Sequence, residues 1–174
     1  MVSYLNRRTI LSLAFLGLTL FVVFGCAKTP QNIQNSTSKT IFFSTKDFKF
    51  YDLGFIKTYP SHTTLEIFNA GVLLLQMECY ANKVCLNQTC YSKDSFMRRL
   101  LGDSHFDDLD LQAVLLGNEI FFGQNKLPNA SGFTQNLKRG NHSLSYQVQS
   151  DSITLHIQDS QKQKKFSLEI STLP

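Results

Sequence analysis

The chain has no tryptophan, and its four histidines, His62, His105, His142 and His156, stand far apart. None forms an H-x-x-x-H or H-E-x-x-H pair, so there is no helical zinc signature. G-x-S-x-G, the P-loop and G-x-G-x-x-G are missing as well, which removes the usual marks of serine hydrolases, P-loop nucleoside triphosphatases and dinucleotide binders. Charge is sparse, at 17% of residues, with a formal net charge of +4. Arg7 and Arg8 supply two of those cations; without them the 17 basic side chains fall to 15 against 13 acidic ones, a net +2. So small and scattered an excess speaks against a nucleic-acid partner. We expect no catalytic residue, no metal and no cofactor. Aromatic content lies instead in 15 phenylalanines and 6 tyrosines, and the phenylalanines imply a large apolar area to bury.

What is present begins at the N-terminus. Arg7-Arg8 precede a stretch from Thr9 to Phe24 without charge, followed by Gly25-Cys26. The stretch is short for a membrane-spanning helix, which needs about 20 apolar residues, and long for a signal core of roughly 7–15. Val23-Phe24-Gly25-Cys26 resembles the lipobox of bacterial lipoproteins, with Phe24 in place of a smaller residue. The expectation is therefore cleavage before Cys26 and lipidation of Cys26, the alternatives being an uncleaved anchor or a cleaved signal without lipid. In such lipoproteins an Asp directly after the cysteine marks retention in the inner membrane. Here Ala27-Lys28 follow, so the expected location is the periplasmic face of the outer membrane, through the lipid anchor. Residues 1–25 are then a lipoprotein signal peptide, and residues 26–39 the lipidated cysteine with a polar, flexible tether. Residues 40–174 form a single periplasmic domain of lipid-binding type, long enough for a real core.

Three cysteines remain for that domain. In an oxidising compartment a disulfide is expected. Cys85 and Cys90 close the shortest loop and are the candidate pair, which leaves Cys79 as a buried thiol. Spacings of C-x5-C and C-x4-C do not match a zinc site.

Period-two alternation dominates the chain. Phe48 to Ile56 reads as a strand whose Gly54 marks a bulge or a close approach. Leu73, Leu75, Met77 and Cys79 share one face of the next clear strand, and Gln76, Glu78 and Tyr80 the other. Leu144, Tyr146 and Val148, then Ile153, Leu155 and Ile157, then Phe166, Leu168 and Ile170 describe a terminal antiparallel meander. Between these regions, Ser92 caps a helix over Lys93–Leu101 that stops at Gly102. A second helix is expected from Asp107 or Asp108 to Gly117, with three acids in its first turn. Gly123 to Gly132 reads as a polar loop carrying Leu127-Pro128. The fold class is α+β and β-rich: a curved antiparallel sheet or unclosed β-barrel, with short helices covering the concave face.

A Phe- and Leu-rich sheet under a leucine-rich helical lid leaves two readings, a filled core or an apolar cavity for acyl chains. For a cavity, the candidate lining residues are Phe50, Phe55, Leu73, Leu75, Met77, Leu111, Leu115, Tyr146 and Leu155. Leu127 is the candidate membrane-contact residue. The succession of lipobox, tether, strands, two short helices ending in Leu115-Leu116-Gly117, Leu127-Pro128 and a terminal β-meander resembles the outer-membrane lipoprotein-insertion receptors (LolB-like). Asp52 to Ile56, Val84-Cys85 with Cys90, Phe96, and Leu111 to Phe121 are similar to a divergent branch of bacterial lipoproteins. The resemblance implies an unclosed β-barrel roofed by helices, whose apolar cavity accepts the acyl chains of lipoproteins handed over by a periplasmic carrier. It also implies an exposed apolar loop residue that delivers this cargo into the outer membrane. The alternative is an accessory outer-membrane lipoprotein that binds protein, as a module of envelope assembly.

Overall fold

The sequence alternation becomes a single antiparallel sheet in the computed structural model, which describes residues 32–102, 105–161 and 163–173. Those residues belong to one unit, Asn32–Pro174. The expectations on the signal segment, on Cys26 and on the tether as far as residue 31 lie outside the described residues.

The strands are β1 (Asn35–Ser44), β2 (Lys49–Thr58), β3 (His62–Asn69), β4 (Val72–Tyr80), β5 (Lys83–Leu86), β6 (Thr89–Ser92), β7 (Lys126–Asn129), β8 (Gly132–Arg139), β9 (His142–Gln149), β10 (Ser152–Asp159) and β11 (Lys164–Ser171). Their order across the sheet is β6-β5-β4-β3-β2-β1-β11-β10-β9-β8-β7. The first and last strands of the chain pair at the centre, Thr40 opposite Ser171 and Ser44 opposite Ser167. The two edges, β6 and β7, do not pair with each other, so the sheet is an unclosed barrel. The connection between those edges holds helices α1 (Lys93–Leu101) and α2 (Leu111–Leu115) and a 3-10 turn, Phe121–Gly123.

β1 starts at Asn35, inside the segment expected to be a tether. Asn35 to Lys39 add a polar, exposed extension that pairs with Gly54–Thr58. Its serines and threonines satisfy a strand ladder without needing a core, and composition alone reads that as a linker.

α1 follows its expected limits, with Gly102 at φ 84 donating its N–H to the Arg98 carbonyl at 2.7 Å. α2 is shorter than expected. Only Asp110 caps it, accepting from the N–H groups of Gln112 and Ala113. Asp107 and Asp108 lie ahead of the helix and are drawn off by Arg98 and Arg139. The inward faces of sheet and helices make one continuous core, from Ile41 and Phe43 through Met77, Met97, Leu109 and Val114 to Leu168. Two buried polar side chains there, Tyr146 and Gln135, are tied down. Tyr146 donates its hydroxyl to the Asn118 carbonyl at 2.9 Å, and Gln135 brackets Ile120 by bonding both its N–H and its carbonyl at 2.9 Å.

At the head of β3, His62 is stacked between Tyr59 and Tyr80, with ring centroids 4.4 and 4.5 Å away. Burial of the ring holds its pKa below the usual histidine value; Glu78 opposes this and Lys83 adds to it. The unfolded chain therefore binds a proton more readily than the folded one. Stability should be complete above about pH 6.5 and fall as pH drops below it, levelling off once the folded histidine is itself protonated. Urea unfolding midpoints at pH 5 and pH 7.5 measure this, and His62→Phe should shrink the difference. An equal difference in the variant assigns it to other groups.

Candidate functional site

The face expected to line a cavity is for the most part packed. Leu75, Met77, Leu111, Leu115, Tyr146 and Leu155 are each at most 3% exposed and lie within the core cluster. They brace the sheet against α2 and do not line the opening described below. Phe50 is half-buried and touches the site only through Phe48, at a ring distance of 5.6 Å.

Phe55 and Leu73 are on the opposite face. Ile67 pairs with Leu75 but Phe68 pairs with Leu73, so Leu74 is an extra residue in β4. A bulge of this kind reverses the side-chain phase on either side of it. Leu73 is thereby turned outward beside Phe68, whose ring meets that of Phe55 edge-on at 5.7 Å.

The opening is a cavity of about 330 Å³ at the end of the barrel where β1 gives way to β2. Phe43 and Phe48 supply one wall, Leu86 a second, and Phe96, Leu100 and Leu101 of α1 the roof. Each is there for a local reason. Thr45 closes the β1–β2 turn by accepting the N–H groups of Asp47 and Phe48 on its hydroxyl, which sets the Phe48 ring flat against Phe43 at 5.7 Å. Leu86 ends β5, beside the hairpin whose directly opposed Cys85 and Cys90 form the disulfide expected from the sequence. α1 offers its apolar side at i, i+4 and i+5 and leaves Arg99 at the rim. Lys46, Asp47 and Lys165 complete the mouth.

Around this end the surface is unusually apolar. Tyr51, Leu53, Phe55, Val72, Leu73 and Leu74 are exposed by 37% to 72%. The β3–β4 turn that carries the last three is fixed to β2 by the 2.5 Å hydrogen bond from Asn69 Nδ2 to Asp52 Oδ2. Clustering of this sort on two adjacent hairpins is what marks a contact surface, whereas single exposed apolar residues are ordinary. In the sequence Val72-Leu73-Leu74 is part of an unbroken apolar run that looks like core, which is why Leu73 is expected on the inner face and not at the surface.

Leu127 is 65% exposed, yet it stands on edge strand β7, opposite Thr134, and not on a loop. Gly123 to Gly132 is thus partly a hairpin arm, with Pro128 placed where an edge strand tolerates it. Phe122 next to it is fully exposed, in a left-handed backbone conformation at φ 55.

Chemical equipment is otherwise meagre. Cys79 is buried and burial pushes its thiol far above the usual range, so it is no thiolate at neutral pH. Among the described residues no three His, Cys, Asp or Glu side chains converge as a metal-holding group. What the arrangement can do is take up an apolar chain beside an apolar surface. No family model matches the chain, and no curated protein matches it in sequence.

Proposed function

We propose that this protein is a membrane-anchored lipoprotein that binds acyl chains of lipoproteins in the cavity under α1 and helps to insert them into the outer membrane. The observation that carries the proposal is the apolar cavity opening at the same end of the barrel as the exposed Val72-Leu73-Leu74 hairpin. An acyl chain leaving the mouth then has a bilayer within reach, provided the hairpin touches it. The unclosed sheet with helices along its open side also agrees with the architecture that the lipoprotein-receptor resemblance implies. The driving force is apolar burial. About ten methylenes at roughly 0.8 kcal/mol each amount to about 8 kcal/mol before association costs, so binding should be no tighter than about micromolar. Weak binding suits transfer, because the bilayer offers the chain an equal or better apolar home.

Titration of a fluorescent acyl probe into the unlipidated protein tests this. Leu100→Trp, which fills the cavity from its roof, should weaken binding at least about tenfold, the worth of two lost methylene contacts. Binding unchanged in that variant moves the ligand elsewhere. The packed state of most of the concave face, together with sheet edges at β6 and β7 that pair with no further strand among the described residues, favours one other reading, an accessory outer-membrane lipoprotein that docks protein. Depletion in cells separates the two: the first requires other lipoproteins to miss the outer membrane, and the second does not.

A further inference from the structure

We infer that the cavity under α1 also takes a second class of ligand, a single acyl chain ending in an anionic head group, with Lys46 and Arg99 holding the head at the mouth. The inference rests on the acyl-binding reading and goes beyond it, since a lipoprotein's acylated cysteine presents no anion.

Two observations carry it. The first is size. At about 330 Å³ the cavity is at the small end of ligand pockets, a size that suits one acyl chain at a time. The second is the distribution of charge. The deep wall is Phe43, Phe48, Leu86 and Phe96, whereas among the described lining residues the rim bears Lys46, Arg99 and Lys165 against one acid, Asp47.

Lys165 is engaged by Asp159 at 3.2 Å. Lys46 and Arg99 have no carboxylate partner among the described residues. The Arg99 guanidinium lies 5.6 Å from the centre of the Tyr91 ring, which restrains it at the mouth without neutralising it. A pocket apolar within and cationic at its lip is complementary to an amphiphile whose head is a carboxylate or a phosphate. It gains nothing from the corresponding alcohol beyond the chain itself.

Photolabelling tests this with the full chain in phosphatidylcholine nanodiscs. Three probes share one diazirine-bearing chain: a fatty acid, a lysophosphatidic acid and a fatty alcohol. Labelled peptides are mapped by mass spectrometry. The α1 peptide should be labelled about fivefold more by at least one anionic probe than by the alcohol, the size of two exposed ion pairs at about 0.5 kcal/mol each. Which anion succeeds separates a fatty-acid from a phospholipid source. Lys46→Ala with Arg99→Ala should bring that ratio to about one while alcohol labelling persists. Equal labelling by acid, phosphate and alcohol in the unaltered protein overturns the anionic inference and leaves acyl binding standing. No labelling of the α1 peptide by any probe overturns both.

Discussion

Aspartate in place of both Val72 and Leu73 should lower the association of the unlipidated protein with phospholipid vesicles by more than about 100-fold. The two side chains are 62% and 43% exposed, so their replacement removes little from the core. Each contributes roughly 1.5 kcal/mol or more when transferred from water into an apolar phase, and the pair therefore about 3 kcal/mol, or about two decades of affinity. Two carboxylates at the same place add a desolvation cost on top. Vesicle co-sedimentation measures the loss, and an unchanged thermal midpoint shows that the fold is intact. Leu127→Asp serves as the comparison. On the edge strand, away from the β3–β4 turn, it should change association by less than a few-fold. If Leu127→Asp proves the damaging variant and the double variant does not, the bilayer meets the β7 edge and the proposed route from cavity to membrane is wrong.

This contrast also shows where sequence was and was not enough. The strands β9, β10 and β11 were legible because apolar and polar residues alternate cleanly, and α1 was legible because Ser92 and Gly102 bracket it. The disulfide followed from the short loop between Cys85 and Cys90, which the register sets directly opposite each other, with Cys85 buried. Leu73 was assigned to the wrong face because the bulge at Leu74 lies inside four consecutive apolar residues, where a phase reversal leaves no trace. Short, polar strands such as β6 and β7 carry no alternation long enough to register.

The cavity failed for a different reason. Alternation finds the inner wall of a sheet, and the inner wall here is the part that packs tightly. The opening occurs where Phe43, Leu86 and Leu100, distant in sequence, fail to meet. No local pattern encodes such a gap.

Gly54 is the position whose sequence reading left two alternatives, a bulge or a close approach, and the structure decides for the second. It pairs with Lys39 on one side and Ile67 on the other, with no break in register. A Cβ placed there would stand 2.2 Å from the Glu66 carbonyl oxygen and 2.3 Å from Ile41 Cδ1. Ile41 has rotamers to choose from, although it is fully buried. The Glu66 carbonyl belongs to the backbone of β3 and cannot turn away without leaving the ladder. Gly54→Ala should therefore destabilise the protein by about 3 kcal/mol, at the upper end of what overpacking costs, read from the urea midpoint at constant m-value. Gly71→Ala is the matched control. It has φ +81 but nothing within 4 Å of a new Cβ, so only left-handed strain applies, about 1 kcal/mol. If the two substitutions cost the same, the β2–β3 contact yields easily. The rigid wall that carries Phe55 and the β3–β4 hairpin would then be softer than its register implies.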